Sequence, residues 1–299
     1  MHLVPALFDR PAYVFRPSQV ARRLAVALTS PSGTVVTRLP WGLELAVDAH
    51  EALGRAVLTS GVYDLPMTET LWRLTAAGDL ALDVGANIGY TGSLLAVRAG
   101  STGAVRCYEP HPAVFARLEQ NARRWVARTG LAPLALRQVA VSERAGHARL
   151  VEGPGFARNA GTSAISTPGS ADGGRLIEVE AVTLDDELRA VARGVGVLKV
   201  DVEGHEAGVI AGARRLLEAG RVRDIVYEDH ARYPSSVSAA LEDLGYRVMA
   251  ITRSFFGPRL VPPADAVFER DRLPPNYLAT REPERAIHLV APRGWACLS

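Results

Sequence analysis

The apolar positions of this chain fall into short runs that alternate with helical spacing. DLALDVG (79–85) is a buried strand, and NIGYTGSLLAVRA (87–99) a helix opened by a glycine-rich turn. AVRCYEP (104–110) is the next strand. PAVFARLEQNARRWVAR (112–128) is an amphipathic helix with Val114, Leu118 and Trp125 on one face and arginines outside. LALRQVAVS (134–142) reads as a third strand, HARLVEG (147–153) and LIEVEAVTL (176–184) as extended segments, and DDELRAVAR (185–193) as a helix. GVLKVDVE (196–203), HEAGVIAGARRLLEAG (205–220), VRDIVYEDH (222–230), VSAALEDLG (237–245) and YRVMAI (246–251) continue as strand, helix, strand, helix, strand. NYLATR (276–281) and AIHLVAP (286–292) read as late extended segments. Strands alternating with helices of this length predict an α/β fold, a mostly parallel sheet with helices on both faces. Ligands of such sheets bind beyond the carboxyl ends of the strands.

Residues 1–62 read as a small N-terminal helix/strand cap on a main domain of residues 63–299. RPSQVARRLAVAL (16–28) has helical spacing, SGTVVTRLP and GLELAVD alternate like two short strands, and Thr68 to Thr75 is a helix leading into the main domain. GPGFARNAGTSAISTPGSADGG (153–174) is a long Gly- and Ser-rich loop, of the kind that is either functional or disordered.

Composition narrows the function classes. A net charge of +2, with scattered arginines, gives no argument for nucleic acid or an anionic membrane. No apolar run reaches the roughly 18–20 residues of a membrane span. The first residues show no signal-peptide pattern. Cys107 and Cys297 are the only cysteines and make no disulfide framework, so they read as reduced thiols of a cytoplasmic protein. Oligomeric state stays open, a homodimer included. Lys199 is the only lysine among 34 Lys and Arg residues, and it sits inside an apolar strand.

The strand ends hold the chemistry. DVGANIGY closes the first strand with Asp83, Gly85, Asn87 and Gly89, a tight turn that lets backbone approach a ligand. Asn87 breaks the G-x-G-x-x-G of dinucleotide enzymes. Glu109 ends the second strand, where an acid suits the two hydroxyls of a nucleoside ribose. Val141, near the third strand's end, would frame an adenine. On the fourth strand Lys199, Asp201 and Glu203 fall at alternate positions and His205 follows Gly204. The structural alternative for that row is a buried Lys–Asp pair serving only the fold. The fifth strand ends in Tyr227, Glu228, Asp229 and His230, beside the fourth.

Together these residues resemble the FkbM-type family of S-adenosylmethionine-dependent methyltransferases. The resemblance rests on LDVGANIGYTGSLLA, CYEPHPAVFARLEQN, VAVSERAG, VTLDDEL, VLKVDVEGHEAGVIAGARRLL and NYLAT, from about residue 69 to 280. It implies a class I, Rossmann-like methyltransferase sheet of seven strands with the last antiparallel. It also implies S-adenosyl-L-methionine as cofactor and methyl transfer to a hydroxyl, often of a sugar or polyketide of secondary metabolism. Asp83, Gly85, Asn87 and Gly89 would match the cofactor turn and Glu109 the ribose acid.

A sugar or polyketide alcohol needs a base or a metal to become a nucleophile. One mechanism makes His205 or His230 the base, oriented by Asp201, with Lys199 stabilising the alkoxide or pinning Asp201 and Glu203. A rival places Mg²⁺ or Mn²⁺ among Asp201, Glu228, Asp229 and His230, whose oxygens suit those ions. Rival functions are a ribose 2′-O nucleic-acid methyltransferase, a nicotinamide-dependent oxidoreductase and a non-catalytic cofactor-binding protein. Phe156, Phe255 and Phe256 are candidates for the acceptor wall, and neither the acceptor nor O- against N-methylation is legible.

Overall fold

The computed structural model describes residues 32–152, 163–165, 175–267 and 275–298. The helix read over 16–28, Phe156 and most of the 153–174 loop lie outside these residues.

The first two strands, β1 (Thr34–Arg38) and β2 (Glu44–Asp48), pair antiparallel as a hairpin. Leu45 and Val47 of β2 face inward and are fully buried, which is what alternation in a half-buried strand requires. Two helices follow, α1 (Ala52–Ser60) and α2 (Leu65–Leu74). Strand β3 (Leu80–Val84) leads into α3 (Tyr90–Ala99), and β4 (Ala104–Tyr108) into α4 (Pro112–Trp125). The hairpin is fastened to α4 by polar contacts as well as by apolar packing. Asn121 accepts from the Ala46 amide at 2.8 Å and donates to the Ala46 and Ile88 carbonyls, and the Trp125 indole donates to the Glu44 carbonyl at 2.6 Å. Leu45, Val57, Leu94 and Trp125 share one core.

The remaining elements are β5 (Leu134–Arg137), β6 (Ala140–Val141), β7 (Gly146–Glu152), β8 (Ser163–Ile165), β9 (Arg175–Val182), α5 (Leu184–Glu187), β10 (Val195–Val200), α6 (Glu206–Gly212), α7 (Arg214–Glu218), β11 (Val222–Glu228), α8 (Ser236–Asp243), β12 (Arg247–Ser254), β13 (Gly257–Val261), β14 (Asn276–Thr280) and α9 (Pro283–Val290). The main sheet has eight strands in the order β13-β12-β14-β11-β10-β3-β4-β5. Neighbours from β11 to β5 run parallel, and β14 is antiparallel to both β11 and β12. This is the class I methyltransferase arrangement, a late antiparallel strand inserted beside the parallel core. The count exceeds the expected seven by β13, which turns back on β12 as an edge hairpin. A second sheet, β6-β9-β7-β8, lies beyond β5 in the chain.

Five readings change. LALRQVAVS is not one strand: β5 stays on the main sheet while β6 pairs with β9. A periodic run sets which face is apolar but not which strand becomes its partner. Within the long loop, residues 163–165 form β8 against β7. HEAGVIAGARRLLEAG divides at Ala213 into α6 and α7, and α5 is shorter than DDELRAVAR. AIHLVAP is helical rather than extended: Pro283 opens α9, and Ala286 and Val290, one turn apart, are buried. Tertiary burial of that stripe overrides the strand preference of Ile and Val. No helix among the described residues is long and apolar enough to cross a membrane.

Candidate active site

The turn after β3 is built on left-handed backbone at Gly85 (φ 77°), Asn87 (φ 49°) and Gly89 (φ 93°). A Cβ at Gly85 would stand 1.8 Å from the Asp201 carbonyl, and one at Gly89 2.7 Å from Leu118. Only glycine lets the turn lie this close to the end of β10 on one side and to α4 on the other. The Gly85 and Ala86 amides both donate to the Tyr108 carbonyl at 3.0 Å, which fixes the turn against the tip of β4.

Glu109 lies just past that tip and is 7% exposed. Its two oxygens accept the Asn87 and His111 amides, each at 2.9 Å. Burial pushes its carboxyl up to about 7 despite those two N–H groups. Each oxygen keeps a second lone pair for a ligand hydroxyl. Asp83 lies deeper, fully buried, and Lys199 faces it from the neighbouring strand in register. The Lys199 ammonium stands 3.3 Å from Asp83 and 3.5 Å from Asp201, and donates to the Gly85 carbonyl at 2.7 Å. Burial works against this charge, but Asp83 and Asp201 outweigh it and raise the lysine above its ordinary range. Lys199 therefore clips the turn to β10.

β10 ends at Val200, so Glu203 and Gly204 are not strand residues but a turn with positive φ at both (53° and 96°). That turn brings the Glu203 carboxylate to 3.8 Å from the His230 Nε2, which lies 3.2 Å from Glu228. Burial, then the charges of Asp201, Glu203 and Asp64, pushes Glu228 up to about 9.

A cavity joins several of these groups, though Glu228 and His230 are not among its lining residues. Gly85, Asn87 and Glu109 line one end, with Val139, Ala140 and Val141 alongside; Lys199, Asp201 and Glu203 line the other with Tyr63. The chemistry of this donor set fits S-adenosyl-L-methionine: a carboxylate with free lone pairs for ribose, an apolar wall for adenine, and backbone turned toward the cavity.

Several candidate residues lie elsewhere. His205 does not line the cavity. Its Nε2 meets the Ser142 hydroxyl at 2.8 Å and lies 3.5 Å from Glu143, in space left by Gly208, where a Cβ would stand 2.3 Å from the ring. Asp229 also turns away, bonded to the Ser235 hydroxyl at 2.5 Å and the Ala231 amide at 3.0 Å. Asp201, Glu228, Asp229 and His230 thus do not converge as a ligand set. Among the described residues no three His, Cys, Asp or Glu side chains are placed to hold a metal. Phe255 and Phe256 stack edge to face on the β12–β13 turn, outside the cavity lining. The sequence reading missed Tyr63, Asp64 and Asn276. Asp64 caps α2 through the Met67 amide and is held by the Asn276 amide at 2.8 Å. An Asp ahead of Leu65–Pro66 signals a helix start, but nothing local places it beside β10 and β14.

The family model described as the methyltransferase FkbM domain matches residues 83–248, more than half of the chain. The chain belongs to the FkbM methyltransferase family. It is similar to the hexuronic acid methyltransferase AglP of Haloferax volcanii, 32% identical over 167 residues, 55% of this chain and 62% of that protein. It is also similar to the 31-O-demethyl-FK506 methyltransferase FkbM of Streptomyces tacrolimicus, 33% identical over 64% of this chain and 80% of that one. This chain thus spans less than two thirds of the length of AglP. A solved FkbM methyltransferase from Methylobacillus flagellatus superposes with a TM-score of 0.46 at 16% identity, covering 79% of this chain and 56% of that one.

Proposed function

We propose that this FkbM-family protein transfers a methyl group from S-adenosyl-L-methionine to a hydroxyl of a small molecule, a sugar or polyketide. The reading rests on one observation: a single cavity carries the Gly85–Asn87 turn and Glu109 at one end and Asp201 and Glu203 at the other. Glu109 would hold the ribose and Val139–Val141 the adenine. When bound, the cofactor supplies an activated methyl group for in-line displacement by the acceptor oxygen.

The chain's own groups would orient the acceptor and take its proton. His230 is the base that geometry favours, because its Nε2 stands between Glu228 and Glu203, and Glu203 lines the cavity. Those carboxylates would favour the imidazolium that forms. His205 would instead brace the Asp201–Gly204 turn against Ser142. Asp64, Asp201, Glu203 and Glu228 would repel phosphates, which disfavours a nucleic-acid acceptor. The absence of a membrane-length helix among the described residues agrees with a cytoplasmic role.

Calorimetric titration with S-adenosyl-L-methionine, S-adenosylhomocysteine and NAD tests the reading. The first two should bind and NAD should not; binding of NAD alone would overturn it. The relatives' names supply the first acceptors to assay by mass spectrometry, a hexuronic acid and 31-O-demethyl-FK506.

A further inference from the structure

Among the described residues, the acids around the acceptor end of the cavity are short of positive charge. Asp64, Asp201, Glu203 and Glu228 arrive from three separate stretches of chain, and all four act on the buried Tyr63 hydroxyl. Asp83 lies just beneath them, against Lys199. The nearby cations among the described residues are already engaged. Lys199 serves Asp83, Asp201 and the Gly85 carbonyl, and Arg253 acts on Asp64. Among the described residues, Lys199 and Arg253 leave these five carboxyl groups undercompensated. A bound S-adenosyl-L-methionine, net singly positive, would not close the gap. Burial and neighbouring charge push Glu228 up to about 9, the response of a carboxylate that lacks a counter-ion.

A second observation concerns Asn276. It is 6% exposed, faces Glu228 in strand register, and gives its amide N–H to Asp64 at 2.8 Å. Its side-chain oxygen is buried with no hydrogen-bond partner among the described residues. A buried acceptor atom left unpaired is costly unless a ligand supplies the donor. Here it stands among further acceptors, so the missing partner is rich in N–H or O–H donors and positively charged.

We infer that the methyl acceptor is an amino alcohol such as an amino sugar, its ammonium held by Glu203, Glu228 and the Asn276 side-chain oxygen while a neighbouring hydroxyl is methylated. This rests on the methyl-transfer reading above. An ammonium offers three N–H donors and has no lone pair, so it anchors without competing as nucleophile. At the hydroxyl the new O–CH₃ bond forms as the S–CH₃ bond breaks, and the hydroxyl proton passes to His230.

The test uses the full chain saturated with S-adenosylhomocysteine and titrated with D-glucosamine, N-acetyl-D-glucosamine and D-glucuronate, three sugars that differ in charge. Glucosamine should bind at least about tenfold more tightly than the N-acetyl sugar, with glucuronate weakest. Glu228→Gln, and Glu203→Gln as a second variant should the first misfold, should shrink that preference at least fivefold with S-adenosylhomocysteine affinity unchanged. Equal binding, no binding of glucosamine, or a preference for glucuronate overturns the inference while leaving the methyltransferase reading intact. A variant that weakens S-adenosylhomocysteine instead assigns the acids to the cofactor and also overturns it, as does N-methyl rather than O-methyl product. Failure of both S-adenosyl ligands to bind would sink the underlying reading itself.

Discussion

The two ends of the cavity are built by different means. The cofactor end is made of backbone: a turn with Gly85 and Gly89 in left-handed conformation, and a Glu109 whose oxygens are held by two main-chain amides. Its parts lie within one strand–helix–strand unit. The proposed acceptor end is made of side chains: Tyr63, Lys199, Asp201 and Glu203 line the cavity, and Asp64, Glu228, His230 and Asn276 stand beside them, joined by ion pairs and one amide. Side-chain sites can be rewritten residue by residue, so on the proposed reading acceptor choice would reside there. Lys199 belongs to both ends, since it binds the Gly85 carbonyl and Asp201 together.

Breaking that shared clip should have the largest effect. Lys199→Met leaves Asp83 and Asp201 without their cation, at a cost of about 3–5 kcal/mol as for other one-sided losses of buried pairs. Denaturant melts should show that loss, with both cofactor binding and turnover abolished; a melt within about 1 kcal/mol of the parent would show that the pair is not structural. The next two changes separate the ends. His230→Ala should lower kcat by about 10²–10⁴-fold, the usual range for a lost general base, with cofactor affinity unchanged. Glu109→Gln should do the reverse, weakening S-adenosylhomocysteine by about 10–100-fold, the worth of hydrogen bonds to a charged acceptor, with a smaller change in kcat. If either variant moves both quantities equally, the two ends are not separable.

Acidity adds a finer probe of the cofactor end. Ionised Glu109 is the form that accepts ribose hydroxyls, and its carboxyl is pushed up to about 7. Cofactor affinity should hold above that pH and decline as pH falls through it, by no more than about tenfold per unit. Glu109→Gln should flatten the profile. The same shift acts oppositely on folding: a raised carboxyl favours the folded state at low pH, and that contribution is lost as pH rises from 4.5 to about 7. The smallest change is expected from His205→Ala, which removes the bond to Ser142 at a cost of about 1 kcal/mol and leaves kcat within a few-fold. A loss of kcat matching that of His230→Ala would return His205 to the chemistry.

Legibility in the sequence follows the same division. Gly85, Asn87, Gly89 and Glu109 stand out in the sequence because the role proposed for them depends on local backbone geometry, which a short motif specifies. Lys199 stood out as a lone lysine in an apolar strand, and the structure places it in contact with Asp83, Asp201 and Gly85. His205 and His230 were equivalent in sequence, since both follow carboxylates near a strand end. They diverge because the Glu203–Gly204 turn, with positive φ at both residues, reverses the chain and leaves His205 facing Ser142. Asp229, adjacent to His230, is drawn off by Ser235 at the start of α8.

Hydrophobic periodicity and the glycine spacing by themselves determined the alternation of strands and helices, the turn after β3, and the place of Lys199 on β10, because each depends on residues within a few positions of one another. Tertiary structure decided the rest. Inserting β14 between β11 and β12 brings Asn276 opposite Glu228 and into reach of Asp64. Burial of Ala286 and Val290 turned an apparent strand into α9. Register and burial are set by which segments meet across the sheet, and no local pattern encodes that choice.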